Sequence, residues 1–133
     1  MTLTLRKPQI KEYNKVNQLI IDAFKTKNDP IQIDFFENPN IICLVALDDS
    51  EIVGTASLHI IQKSNRKMGL IEDVVTHPKH QGKGVGRQLV TELIKKAKKY
   101  GCYKTILNCT PENVFFYQKL GFSQEQLQMT VRQ

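Results

Sequence analysis

The sequence has no apolar stretch long enough to cross a membrane. Its longest apolar runs, Ile41-Ile42-Cys43-Leu44-Val45-Ala46-Leu47 and Leu58-His59-Ile60-Ile61, are the size of β-strands. The first residues, Met1-Thr2-Leu3-Thr4-Leu5-Arg6-Lys7, lack the apolar core and cleavage site of a secretion signal. Cysteine is scarce: Cys43, Cys102 and Cys109 are an odd set at spacings that suit neither a metal site nor a disulfide framework. These absences predict a cytoplasmic chain that holds no metal. No linker, repeat or low-complexity stretch divides the 133 residues, so a single domain over 1–133 is expected, with a core of its own.

What is present is basic. The formal charge of +6 favours an anionic partner without saying which. The cations are spread out, except for Lys95-Lys96 and Lys98-Lys99 at the end of a predicted helix, where they complement the helix dipole. No aromatic-basic surface pattern accompanies them, so no nucleic acid is expected as a partner.

The order of elements is informative. Leu3-Thr4-Leu5 reads as a short strand, and Ile10 to Phe24 as a helix with Val16, Leu19, Ile20 and Ala23 on one face. A short helix is expected over Ile31 to Phe36, closed by Asn38-Pro39. Strands follow at Ile41 to Leu47 and Ile52 to Ile61, joined by the turn residues Asp48-Asp49-Ser50-Glu51. After the polar loop Lys63 to Lys67 comes a strand from Met68 to Thr76. A long helix from Val85 to Tyr100 then carries Val85, Leu89, Val90, Leu93, Ile94 and Ala97 on one stripe and stops at Gly101. Tyr103 to Cys109 reads as a strand. Thr110-Pro111-Glu112 opens a helix with a capping hydroxyl, a first-position proline and a first-turn acid. That helix ends at Leu120-Gly121, and Phe122 to Val131 is extended. The expected class is α+β, a mixed and mostly antiparallel sheet flanked by helices.

The sharpest local feature is Thr76-His77-Pro78-Lys79-His80-Gln81-Gly82-Lys83-Gly84-Val85-Gly86-Arg87. A strand ends, a short loop follows, and alternating glycines lead into an amphipathic helix. Glycines let the backbone turn tightly and bring its N–H groups close to a ligand. The helix start adds free donors and partial positive charge, which suits a pyrophosphate, with Lys83 and Arg87 at the rim. The spacing is not that of a Walker loop, nor the Gly-x-Gly-x-x-Gly of a dinucleotide fold.

Gln81-Gly82-Lys83-Gly84-Val85-Gly86 resembles the Gln/Arg-x-x-Gly-x-Gly/Ala signature of the GNAT superfamily of N-acetyltransferases. Asn113-Val114-Phe115-Phe116-Tyr117-Gln118-Lys119-Leu120-Gly121-Phe122 resembles a second hallmark of that superfamily. Ile71-Glu72-Asp73-Val74-Val75, Gly101-Cys102-Tyr103-Lys104 and Asn113-Val114 with Phe116-Tyr117 are similar, more narrowly, to the glucosamine-6-phosphate N-acetyltransferase family. The narrower likeness covers the C-terminal half and reaches Arg132.

The resemblance implies the GNAT fold, acetyl-coenzyme A as co-substrate, and transfer of its acetyl group to the amine of a phosphosugar in a ternary complex, feeding amino-sugar nucleotide synthesis. It assigns the cofactor to Gln81, Gly82, Lys83, Gly84, Val85, Gly86 and Arg87, to the backbone of Val74, Val75 and Thr76, and to Asn113 and Tyr117. Tyr117 would protonate the departing thiolate. Glu72, Asp73, Tyr103, Lys104 and Arg132 would bind the sugar phosphate, with Lys63 nearby, while Arg66 reads as a solvated loop residue. The family also implies a homodimer whose C-terminal strands cross, so that Tyr103, Lys104 or Arg132 acts across the interface.

Glu72 and Asp73, adjacent on a strand, are expected on opposite faces. One position departs from the family. Asn108 stands where an acid helps to position or deprotonate the amine, and asparagine cannot take a proton at neutral pH. Water with a backbone carbonyl, Glu72 or Asp73, or a different substrate remain open. His59, His77 and His80 offer possible bases, His59 on either face of its strand, but form no triad or metal set by spacing. The alternatives kept are another small amine or a protein amine as acceptor, and a non-catalytic acetyl-coenzyme A-binding module.

Overall fold

Apolar runs over 41–47 and 52–61, largely buried on both faces, build the centre of one five-stranded sheet whose spatial order repeats its sequence order. The computed structural model describes residues 2–27 and 30–133. Its strands are β1 (Leu3–Arg6), β2 (Ile41–Asp48), β3 (Glu51–Gln62), β4 (Lys67–Thr76) and β5 (Cys102–Leu107). The first four pair antiparallel, and β5 joins β4 in parallel. The helices are α1 (Tyr13–Phe24), α2 (Ile33–Glu37), α3 (Val85–Lys99) and α4 (Val114–Gln118).

Side chains on alternate faces of β2 and β3 feed two apolar layers. Ile42, Leu44, Ala46, Ala56 and Leu58 pack against Val85, Leu89, Val90, Leu93 and Ala97 of α3. Cys43, Val45, Leu47 and Ile52 meet Val16 of α1, with Phe35 and Phe36 of α2 alongside. Helix α3 connects β4 to β5, the crossover that a parallel pair requires. Gly54 permits its close approach, because a Cβ there would lie 2.6 Å from Val85 Cγ1. Among the described residues no helix is long and apolar enough to cross a membrane.

Several boundaries differ from the sequence reading. The first turn of the 10–24 segment, Ile10–Glu12, is a 3-10 turn ahead of α1. Ala23 is exposed and Tyr13 is buried instead, stacked on Phe36 at 4.0 Å between ring centroids, because the α2 aromatics cover the start of α1. Helix α2 begins at Ile33 rather than Ile31. Thr110 does not cap the helix that follows; its hydroxyl accepts from Asn113 Nδ2 at 3.3 Å. Strand β5 stops at Leu107, short of Cys109, and residues 122–133 form no strand within this chain.

Candidate active site

The cradle lies where β4 ends. Gly82 and Gly84 adopt φ of +79° and +82°, a backbone that other residues enter only at a cost. A Cβ on Gly84 would also lie 3.1 Å from Arg87 Nη2, so the glycine lets the guanidinium fold over the loop. Gln88 N–H donates to Gly84 O at 3.1 Å. The N–H groups of Val85, Gly86 and Arg87 precede it and have no intrahelical acceptor. They open into a cavity of about 810 Å³ lined by the cradle, Val74, Thr76, Asn113, Phe116 and Tyr117. Converging donors at the start of a fifteen-residue helix, with two cations beside them, suit a diphosphate group.

The cavity continues into a cleft made by a defect in pairing. The β4–β5 ladder ends at Ile71↔Leu107, and the β3–β4 register slips between Thr55 and Ser57. The extra residue in β4 is accommodated with Asp73 in the left-handed region, φ 52°. This bulge bends the strand and frees its edge. Residues 73–76 then face the opening with backbone groups that β5 does not pair, enough to receive an extended chain as an added strand.

The acids sit at the bulge. Because the left-handed residue breaks the pleat, Glu72 and Asp73 do not divide cleanly between opposite faces as expected. Burial, then Asp73, raises the Glu72 carboxyl above its ordinary range. Burial also raises Asp73, with His59 opposing. Asn108, exposed just past β5, lies level with Glu72 across the opening. Asn113 and Tyr117, four residues apart, project from the segment that closes the cavity. Tyr117 sits edge-on to Phe116 at 4.9 Å and Phe122 at 5.9 Å. Burial, then Cys109, raises its phenol, which therefore keeps its proton at neutral pH.

The remaining candidates do not converge here. Tyr103, Lys104 and Lys63 lie at the other end of the sheet, where the β4–β5 ladder starts with Lys67↔Cys102. Lys104 is four residues from Asn108, about 13 Å along a strand. There Arg66 and Lys104 stand over the Tyr103 ring at 5.3 and 5.4 Å. Arg66 first, then Lys104 and Lys63 against a burial effect, draws the Tyr103 phenol below its usual range. Arg66, read as merely solvated, thus has an aromatic partner. Arg132 is exposed in the tail. Val75 is buried, so its backbone is what it can offer the cleft.

Two features were not placed at the site from the sequence. Phe116 lines the cavity, its Cζ 3.7 Å from where a Gly86 Cβ would be. Ser57 and His59 stand behind the acids, signalled only by the polar alternation Thr55-x-Ser57-x-His59. Among the described residues no group of three or more His, Cys, Asp or Glu is placed to hold a metal.

Residues 10–122 match the Acetyltransferase (GNAT) family. The chain is 39% identical over 99 residues to glucosamine 6-phosphate N-acetyltransferase of Schizosaccharomyces pombe, covering 72% of this chain and 89% of that one. It is 38% identical over 103 residues to the Arabidopsis thaliana protein of the same name, covering 74% and 69%. Among solved structures, a Trypanosoma brucei acetyltransferase superposes with a TM-score of 0.87 at 30% identity over 99% and 100% of the two chains. The Arabidopsis thaliana glucosamine-6-phosphate N-acetyltransferase gives 0.82 at 29% identity over 99% of each. The chain belongs to the GNAT family of acetyltransferases.

Proposed function

We propose that this protein transfers the acetyl group of acetyl-coenzyme A to the amine of glucosamine 6-phosphate, as one cytoplasmic N-acetyltransferase domain spanning 1–133. The observation that supports this reading is the glycine cradle sharing one cavity with Asn113 and Tyr117, beside the β4 edge that β5 leaves unpaired after Ile71, next to Glu72 and Asp73. The relatives that share its motifs supply the acceptor by name.

The cradle N–H groups, Lys83 and Arg87 hold the pyrophosphate of the co-substrate. The free edge at Val74, Val75 and Thr76 aligns its extended arm, with Asn113 and Phe116 against it. Bound acetyl-coenzyme A supplies the activated thioester. The amine enters from the side of Glu72 and Asp73, whose carboxylates hold it and accept its ammonium proton, the task Asn108 cannot perform. The nitrogen bonds to the carbonyl carbon and gives up a second proton to the acid pair, the C–S bond breaks, and Tyr117 gives its phenolic proton to the sulfur and is reprotonated from water. Transfer is direct, within one ternary complex.

One chain leaves the phosphate end of this substrate without cations. We infer that they come from a second copy. Leu127, Met129 and Val131 are 83%, 89% and 83% exposed and alternate with polar residues, the pattern of a half-buried strand with nothing against it. The outer edge of β5 is unpaired in the sheet order, and with the tail it bounds a groove of about 710 Å³. A dimer that lays each tail along its partner satisfies both edges. It carries Tyr103, Lys104, Lys63 and Arg132 toward the neighbouring cleft.

The test is thiol release from acetyl-coenzyme A with glucosamine 6-phosphate, run beside glucosamine. Release with the phosphosugar and little with the free sugar is expected. Release with neither, when the protein binds the cofactor, overturns the acceptor and favours the non-catalytic reading that Asn108 suggests.

A further inference from the structure

Behind the acid pair lies a buried polar chain that the steps above leave unused. Thr55, Ser57 and His59 alternate onto the face of β3 that α1 and α2 cover, and Thr55 and Ser57 are each 1% exposed. Buried hydroxyls are costly unless bonded. Thr55 donates to Leu44 O at 2.8 Å. Ser57 Oγ lies 3.2 Å from Glu72 O and 3.2 Å from His59 Nε2.

The protons can be assigned. A carbonyl only accepts, so the single proton of Ser57 goes to Glu72 O. The second contact is then a bond only if His59 Nε2 is the donor. The imidazole is therefore protonated at Nε2, and Nδ1 is the nitrogen free to titrate. The Glu72 carbonyl belongs to the peptide entering Asp73, the residue in the left-handed region at φ 52°. Such a conformation persists in a non-glycine residue only where its surroundings hold it.

The charges around His59 are few. On β4 they are Asp73 and Glu72, the latter opposite Ser57; on β2 the Cys43 thiol is held neutral, burial pushing it up to about 11. Helix α2 presents the Phe35 ring, 6.0 Å between centroids, while its acids Asp34 and Glu37 are exposed. Helix α1 buries Tyr13 and Val16 on this side. Ile41 and Leu70 flank the ring across the sheet.

We propose that His59 is a positioning residue for acetyl transfer, clamping the Glu72–Asp73 peptide through Ser57 and stabilising the Asp73 carboxylate that receives the amine. This rests on the reading of Glu72 and Asp73 as the amine-side acids. Asp73 in turn favours the charged imidazole, and burial opposes it. Removing the imidazole raises the Asp73 pKa, so the carboxylate is lost at a higher pH.

Two variants separate clamp from charge. His59→Gln keeps an N–H donor toward Ser57 but cannot titrate; His59→Leu keeps bulk and loses both. With glucosamine 6-phosphate as acceptor, His59→Leu is expected to lower kcat by about tenfold with little change in KM for acetyl-coenzyme A. His59→Gln is expected to recover to within about threefold on the pH plateau while its acid limb moves upward. Unchanged kcat and pH profile in both, or equal damage in both, would overturn the proposal. An imidazole NMR titration keeps it separate from the substrate assignment: the His59 pKa falls in Asp73→Asn, and an unshifted titration overturns the pairing even if no acceptor is found.

Discussion

Tyr117 stands where two cavities meet, lining both the cradle side and the β5 groove. Its ring is fixed by Phe116 and Phe122, so replacing it by phenylalanine removes the hydroxyl and little else. Tyr117→Phe is expected to lower kcat by about 10²-fold with KM for acetyl-coenzyme A nearly unchanged, measured by thiol release at saturating substrates. A kcat within a factor of about two would remove it from proton transfer. At this scale the sequence was informative where chemistry depends on residue type. The glycines, Asn113 and Tyr117 are recognisable by identity and spacing. Asp73 is not: nothing in an aspartate announces a left-handed backbone in mid-strand, and that one dihedral moves the acids off the alternation a regular strand implies. His59 was equally opaque, since its role depends on Ser57 and on a carbonyl of the neighbouring strand.

Elements were legible where periodicity is strong. The α3 stripe and the β2–β3 hairpin follow directly from spacing, with Val85, Leu89, Val90, Leu93 and Ala97 all buried. They were least legible where a contact from elsewhere decides. Helix α1 begins as it does because Glu12 ties three pieces together. Its carboxylate takes two bonds from Arg6 at the end of β1, at 2.8 and 3.1 Å, and one from Gln9 N–H at 2.7 Å. The Arg6 bond first, with burial opposing and the Gln9 bond and nearby cations adding, lowers the Glu12 carboxyl to about 2. Because the folded value is depressed, the contribution to stability is full above the unfolded value and is lost as pH falls toward about 2. Solvent screens the Arg6 side of the pair, which keeps the effect small. Glu12→Ala is expected to lower Tm by roughly 4 °C near neutral pH, with the difference from the parent shrinking as the solution is acidified. A constant difference across that range would assign the loss to packing.

At the scale of the whole molecule, the proposed dimer would let one substrate be held by two chains. Tyr117 lies at the cradle, and Lys104 of β5 lies toward the end of the β4–β5 ladder away from Glu72. Mixing two separately inactive variants tests this. Tyr117→Phe and Lys104→Ala, unfolded together and refolded, are expected to recover about a quarter of the parental sites, since half of the dimers then hold one intact cleft. No recovery, with each variant folded and dimeric, would place both residues in the same chain's cleft. The strand order has a kinetic consequence of its own. From β1 through the β2–β3 hairpin to β4, the later pairings join neighbours in sequence, so much of the sheet can zip together by short loop closures. The parallel β4–β5 pairing must wait for the long excursion through α3. The opening that receives the acetyl donor is therefore bounded by a pairing made after the β2–β3–β4 hairpins, and capture of coenzyme A during refolding would time a late step of folding rather than the first.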